Sequence, residues 1–235
     1  MDRNNAYQFW VRDGVVQKLQ ALSQLPLYGF PGKGGFEFYD HQNRKLAKLI
    51  VPVTFPNIDE RPFNEYIYQD VKEPVLDTII VLIQAGEACI GRVVGDELIT
   101  HKLIRKYMVR KSQGKSQIKH LNSKGKSRAG SRIRLAQTVR FFEEINECLT
   151  LWFNDQKPHR VAYHVPANMS SLWYTSKVPP PFEKGASLLR KTFWDIQKPR
   201  REEIIRSMRL MNCARITIFD PVFKELIIPI LEKDN

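Results

Sequence analysis

Apolar residues change their spacing several times along this chain, and each change predicts an element. Phe9, Val16, Leu19 and Leu22 recur at helical intervals, which predicts a helix over residues 5–25. Gly14 inside it costs about 1 kcal/mol relative to alanine. Proline and glycine then punctuate residues 25–35 heavily enough to predict a loop. Phe36–Tyr39 and Lys48–Phe55 read as strands, with Pro52 marking an edge or a bulge. Residues 56–74 are irregular and acidic, and predict a boundary between an N-terminal helix and strand extension (1–75) and a main domain (76–235).

From Asp77 the pattern sharpens. Thr78–Ile83 is a continuous apolar run of the kind that becomes a central strand buried on both faces. Ala88–Val94 and Glu97–Thr100 follow across turns at Gly86 and at Gly95-Asp96, predicting a meander of three strands. Leu135, Val139, Phe142, Ile145 and Leu149 mark the buried stripe of a helix beginning near Ser131. Val161–Val165, Leu188–Phe193 and Arg215–Phe219 read as further strands, and the piece after Val165, with Pro179–Pro181 in a row, reads as an extended connector rather than a helix. Pro199 opens a helix whose stripe is Ile204, Ile205, Met208 and Met211. This alternation predicts an α/β fold, a mixed β-sheet flanked by helices.

Composition narrows the class. The chain has 235 residues, 43% of them hydrophobic, which is enough for a packed core. It has no uncharged apolar run long enough to span a membrane and no secretory signal pattern, so a soluble, cytoplasmic protein is expected. Cys89, Cys148 and Cys213 are odd in number and widely spaced, which predicts free thiols in a reducing compartment. The formal charge of +12 is local. Leu98–Phe142 carries 13 of the 37 Lys and Arg and no acid, and removing those 13 leaves 24 bases against 25 acids. Within that stretch a polar run, Arg110–Gln117, predicts a loop presented to a polyanion, RNA above all. Long connections without apolar content are generally functional or disordered, so the loop is expected to be mobile when free and ordered on its target. No carboxylate cluster accompanies it, which disfavours metal catalysis. His159 and His164 are five apart in or beside one predicted strand and so point to opposite faces, and neither a metal nor a cofactor is expected. Lys115-Ser116 lacks the upstream glycine of a nucleotide P-loop.

The same region resembles a known family. Thr100-His101-Lys102, Arg105-Lys106-Tyr107, Arg110 and Lys111-Ser112-Gln113-Gly114-Lys115-Ser116-Gln117 are similar to the catalytic-loop region of the Vms/ANKZF release-factor-like proteins. Ser127-Arg128-Ala129-Gly130-Ser131 and the segment Arg190–Arg206 continue the resemblance, which covers about 77–220. The chain departs from the pattern at Lys106, at Ser112 and at Lys115, where the family has a second glycine. It lacks ankyrin repeats and a zinc finger, and looks like a compact bacterial member.

The resemblance implies a fold like the middle domain of eukaryotic-type release factors, related to the ribonuclease-H-like sandwich. It implies a ribosome-rescue factor that frees the nascent chain from peptidyl-tRNA on stalled large ribosomal subunits, independently of metal. Catalysis would lie at Gln117 with Gly114 and Ser116. A glutamine amide does not titrate but donates and accepts hydrogen bonds, so it can orient a water or a 2′-hydroxyl. The bond is either the peptidyl ester or a phosphodiester near the tRNA 3′ end. Lys102, Arg105, Lys106, Arg110, Lys111, Lys115, Lys119, Lys124, Lys126, Arg128, Arg132 and Arg134 would hold ribosomal RNA and tRNA phosphates as a group. His101 would secure the strand end by a hydrogen bond, Tyr107 would pack, Gln113 would support the loop, and His120 would face RNA or shuttle a proton. Two other readings stand beside this one: a non-catalytic ribosome- or RNA-binding module using the same loop, and a tRNA-processing nuclease acting off the ribosome.

Overall fold

The computed structural model describes residues 6–32, 34–68, 76–106 and 127–232, with the side chains of 127–135 left out. Two compact units are present: Met1–Pro74 with Arg209–Asn235, and Val75–Met208.

The first unit opens with strand β1 (Tyr7–Val11), not the predicted helix; helix α1 (Val15–Ser23) begins only after Gly14. Tyr-Gln-Phe-Trp-Val is aromatic and β-branched, which suits a pleated surface. Gly14 sits at φ 60° at the helix start, a left-handed backbone that glycine adopts readily. Residues expected to form a loop make β2 (Tyr28–Gly32), paired with β3 (Gly35–Tyr39). Pro31 is tolerated because β2 is an edge strand, where an absent N–H breaks no ladder. Strand β4 (Lys45–Ile50) stops short of the predicted Phe55, and the stretch expected to be irregular holds a short helix, α2 (Phe63–Tyr68).

The second unit follows the sequence pattern closely. Strands β5 (Asp77–Gln84), β6 (Glu87–Val94) and β7 (Glu97–Arg105) form an antiparallel meander. Helix α3 (Ser127–Asp155) carries the chain to β8 (Arg160–His164), parallel to β5. Helix α4 (Ala167–Tyr174), which buries Met169 and Trp173 where a connector without a helix was expected, β9 (Leu189–Lys191) and helix α5 (Arg201–Leu210) complete the unit. The sheet order is β7-β6-β5-β8-β9, a mixed sheet of the predicted class with β5 at its centre. Seven of the eight β5 residues are buried, as the apolar run requires.

Ile79, Val81, Ile83, Ile90 and Ile104 on one sheet face share a core with Phe141, Phe142, Ile145 and Leu149 of α3. Asn146, fully buried, accepts from Trp173 Nε1 at 2.8 Å and donates to the carbonyls of Trp173 and Val178, joining α3 to α4. On the opposite face α5 lies against β6. A Cβ on Gly91 would stand 2.6 Å from Ile204 Cγ2. Gly91→Ala is therefore expected to destabilise the protein by about 1–3 kcal/mol, the cost of overpacking, read as a lower urea midpoint with unchanged slope.

The chain then returns to the first unit. Strand β10 (Ala214–Ile218) inserts between β1 and β4, antiparallel to both, giving the order β1-β10-β4-β3-β2. Residues 209–235 thus belong with the N-terminal segment and not with the domain proposed over 76–235. The reason is one-sided burial: Ala214, Ile216 and Ile218 point into the core of Leu19, Phe36, Phe38 and Leu49. Helix α6 (Pro221–Leu231), unpredicted, is capped by Asp220, whose Oδ1 accepts from Phe223 N at 2.9 Å, with proline in the first turn. Among the described residues no helix is long and apolar enough to cross a membrane.

Candidate functional site

The basic stretch enters the structure on β7, which among the described residues is an edge strand of its sheet. Alternation splits its side chains between two faces. Lys102 lies on the α3 side, where its charge is felt at Cys148, and Ile104 is buried beside it. His101, Leu103 and Arg105 line the other face; Ile99 is the extra residue of a bulge opposite Arg92 and Val93, and Ile99 and Leu103 are exposed. Lys106 follows the strand, its backbone N–H donating to Gly86 O at 2.9 Å. Residues 107–126 then connect the end of this cationic edge to the start of α3 at Ser127.

Two of the expected phosphate ligands already have acidic partners from outside the acid-free stretch. Lys106 Nζ is 2.9 Å from Glu144 of α3, and Arg105 Nε is 3.5 Å from Glu87, its cross-strand neighbour. Both pairs are partly open to solvent. Such pairs are each worth about 0–1 kcal/mol, so a phosphate can displace either carboxylate at small cost. Counting charge along the chain missed Glu87 and Glu144, since nothing in local sequence marks a partner so far away.

The structure thus places His101, Lys102 and Arg105 on one strand, with Lys106 directly after it. His101 is not at the strand end as expected. It is exposed in mid-strand opposite Gly91, and its side chain makes no hydrogen bond among the described residues. Arg128, Arg132 and Arg134 lie on the first turns of α3, which begins at Ser127, earlier than predicted. Tyr107, Arg110, Lys111, Gln113, Gly114, Lys115, Ser116, Gln117, Lys119, His120, Lys124 and Lys126 fall outside the described residues, as does the expected mobility of their loop.

The motif segment 190–206 has an architectural role. Trp194 is buried and donates from Nε1 to Ser207 Oγ of α5 at 3.1 Å. Gln84, at the end of β5, donates to the carbonyls of Ile196 and Gln197. Arg206 binds both Glu203 Oε1, at 2.5 Å, and the carbonyl of Asp195. These contacts clamp α5 to the sheet.

Other reactive groups are quiet. The three cysteines are free and buried, and burial pushes the Cys89 thiol up to about 12, far from a nucleophilic thiolate at neutral pH. His159 Nδ1 accepts from Asp77 N at 3.1 Å. Among the described residues no three acidic, histidine or cysteine side chains cluster as metal ligands. His164 is held below the usual histidine range, chiefly by burial, with Lys191 adding to the effect and Asp195 and Glu203 opposing it. Its folded value lies below the unfolded one, so the unfolded chain takes up the proton first as pH falls. Stability is therefore withdrawn on acidification through about pH 6.5 and below. His164→Gln is expected to flatten the urea midpoint between pH 7 and 5 and to change little of its pH dependence above 7.5.

With the architecture and the cationic edge in place, comparison with known proteins gives the class. A family model described as the Bacteroidetes VLRF1 release factor matches residues 78–218, from β5 through β10. The chain belongs to this bacterial release-factor family, of the Vms/ANKZF-like kind. The family carries a release-factor-like role, with peptidyl-tRNA as the general substrate and the ribosome and tRNA as general partners. Among solved structures, one titled "Vms1 mitochondrial localization core" is similar at 10% identity and a TM-score of 0.41, covering 89% of this chain and 84% of that one. No curated protein matches the sequence.

Proposed function

We propose that the protein rescues stalled large ribosomal subunits by freeing the nascent chain from peptidyl-tRNA through the segment that carries Gln117. The supporting observation is positional. Within a release-factor family match, the Gly114–Gln117 motif lies between a cationic edge strand and the first turns of an arginine-bearing helix. Lys102, Arg105 and Lys106 at one end, and Arg128, Arg132 and Arg134 at the other, would bracket the motif with phosphate ligands. Those ligands would fix its approach to a tRNA 3′ end.

Gln117 would then orient the attacking oxygen, and backbone N–H groups near Gly114 and Ser116 would meet the developing oxyanion. Lys111, Lys115, Lys119, Lys124 and Lys126 would neutralise surrounding RNA. No step draws on a metal or an organic cofactor, and the protein would work in the cytoplasm, where its substrate is.

The test is a gel assay on purified large subunits carrying labelled peptidyl-tRNA, scored for freed peptide and for the tRNA 3′ terminus. Peptide release with an intact terminus identifies ester hydrolysis, and a shortened terminus identifies endonucleolytic release. Stable binding without release would leave the protein a ribosome-binding module. Equal activity on naked tRNA would make it a processing nuclease, and either of these last two results rejects the proposal.

A further inference from the structure

The first unit carries a surface that peptide release does not use. Its five-stranded sheet turns Phe36, Phe38, Leu49, Ile216 and Ile218 into the core. Alternation puts their strand neighbours on the opposite face. Pairing sets Phe30, Glu37, Lys48, Thr217 and Gln8 side by side across all five strands. Tyr28 and Tyr39 pair in the adjoining row, and Phe219 follows the core-facing Ile218.

This face is rich in exposed aromatic rings with cations beside them. Tyr28, Phe30 and Phe219 are 54%, 52% and 42% exposed. Lys45 Nζ lies 5.6 Å from the centroid of the Phe219 ring, and the Arg215 guanidinium lies 6.0 Å from that of Trp10. The acid Glu37 is held between Lys45 at 2.7 Å and Lys48 at 3.9 Å, so the face stays cationic.

Several large rings on the open side of one sheet are an informative exposure, since they stay about half in water even with His41 against Tyr28 and Lys45 over Phe219. Protein–protein interfaces are depleted in lysine, whereas single-stranded nucleic acid is bound by aromatic stacking combined with a positive surface. Duplex RNA keeps its bases stacked internally and offers none to a ring. We propose that the open face of the first sheet binds single-stranded RNA, stacking unpaired bases on Tyr28, Phe30 and Phe219 while Lys45 and Lys48 take phosphates. The inference stands apart from the release reading and does not depend on the loop.

Fluorescence anisotropy of the full chain with a labelled mixed-sequence single-stranded oligoribonucleotide, and with its duplex, tests it at several salt concentrations. Tyr28→Ala/Phe30→Ala/Phe219→Ala should weaken single-strand binding at least about tenfold, the loss of stacking, and leave duplex binding within about twofold. Lys45→Ala/Lys48→Ala should instead lower the salt slope by about 1.4. The Tyr28→Trp/Phe30→Trp variant should retain binding, which separates stacking from misfolding. Ultraviolet crosslinking of the unaltered protein should mark the peptides containing Tyr28 and Phe30. Crosslinks confined to residues 98–142, or alanine variants that bind single strands normally, would overturn the proposal. Normal RNA binding with weakened attachment to large subunits would assign the face to a protein partner instead.

Discussion

Gln117→Ala is expected to slow peptide release from large subunits about 10²-fold, the usual cost of a poorly oriented attacking oxygen. Subunit affinity should stay within about twofold, because one neutral amide contributes little beside the cations that flank it. Single-turnover release with enzyme in excess, paired with co-sedimentation on the same subunits, separates the two quantities. An equal loss in both would make Gln117 a binding residue. Lys115→Gly adds a complementary arm. Glycine adopts left-handed backbone more readily than lysine, so the variant should release at least as fast, at the cost of one phosphate contact.

The second large effect concerns the anchor of α3, the helix onto which residues 107–126 lead. Arg92 of β6 is 6% exposed and is surrounded by acceptors. It donates to Asp77 Oδ2 at 2.6 Å, to Asp155 Oδ2 at 3.2 Å, and to the carbonyls of Trp152 and Gln156 at 3.3 and 3.1 Å. The last three partners lie at the carboxyl end of α3, where free carbonyls and the helix dipole favour a cation. Arg92→Ala strands the buried Asp77 carboxylate and is expected to cost about 3–5 kcal/mol. That is a large part of the 5–15 kcal/mol typical of a folded protein. Denaturant unfolding measures it. Arg92→Met with Asp77→Leu should recover part of the loss, since no buried carboxylate is then left unpaired, while the carbonyls of Trp152 and Gln156 still lose their donor. Full recovery would show that the pair serves geometry and not stability; no loss in the single variant would contradict the burial argument.

Local pattern made the second unit legible. An unbroken apolar run gave β5 its central place, and a stripe at helical spacing gave α3 its buried side. Both depend on near-neighbour periodicity, which survives without knowledge of the partner. The first unit was harder to read for the same reason. Phe9 falls in phase with Val16 and Leu19 by coincidence, and only pairing with β10 turns its segment into a strand. Arg215–Phe219 was readable as a strand, but which sheet it joins is a non-local choice made by Leu49 and Phe36. At the candidate site the cations were visible in sequence, whereas their acidic partners Glu87 and Glu144 were not. The motif around Arg190–Arg206 was recognisable, yet its work in clamping α5 through Trp194 and Ser207 needed coordinates.

Release by this route requires that the segment bearing Gln117 meet the end of the tRNA. A photoreactive amino acid at position 117, irradiated on large subunits carrying peptidyl-tRNA labelled at its 3′ terminus, measures that directly. Crosslinks to the terminal nucleotides of the tRNA are expected, lost when the subunits carry no tRNA. Efficient subunit binding with crosslinks only to ribosomal surfaces remote from that terminus would contradict release by this route.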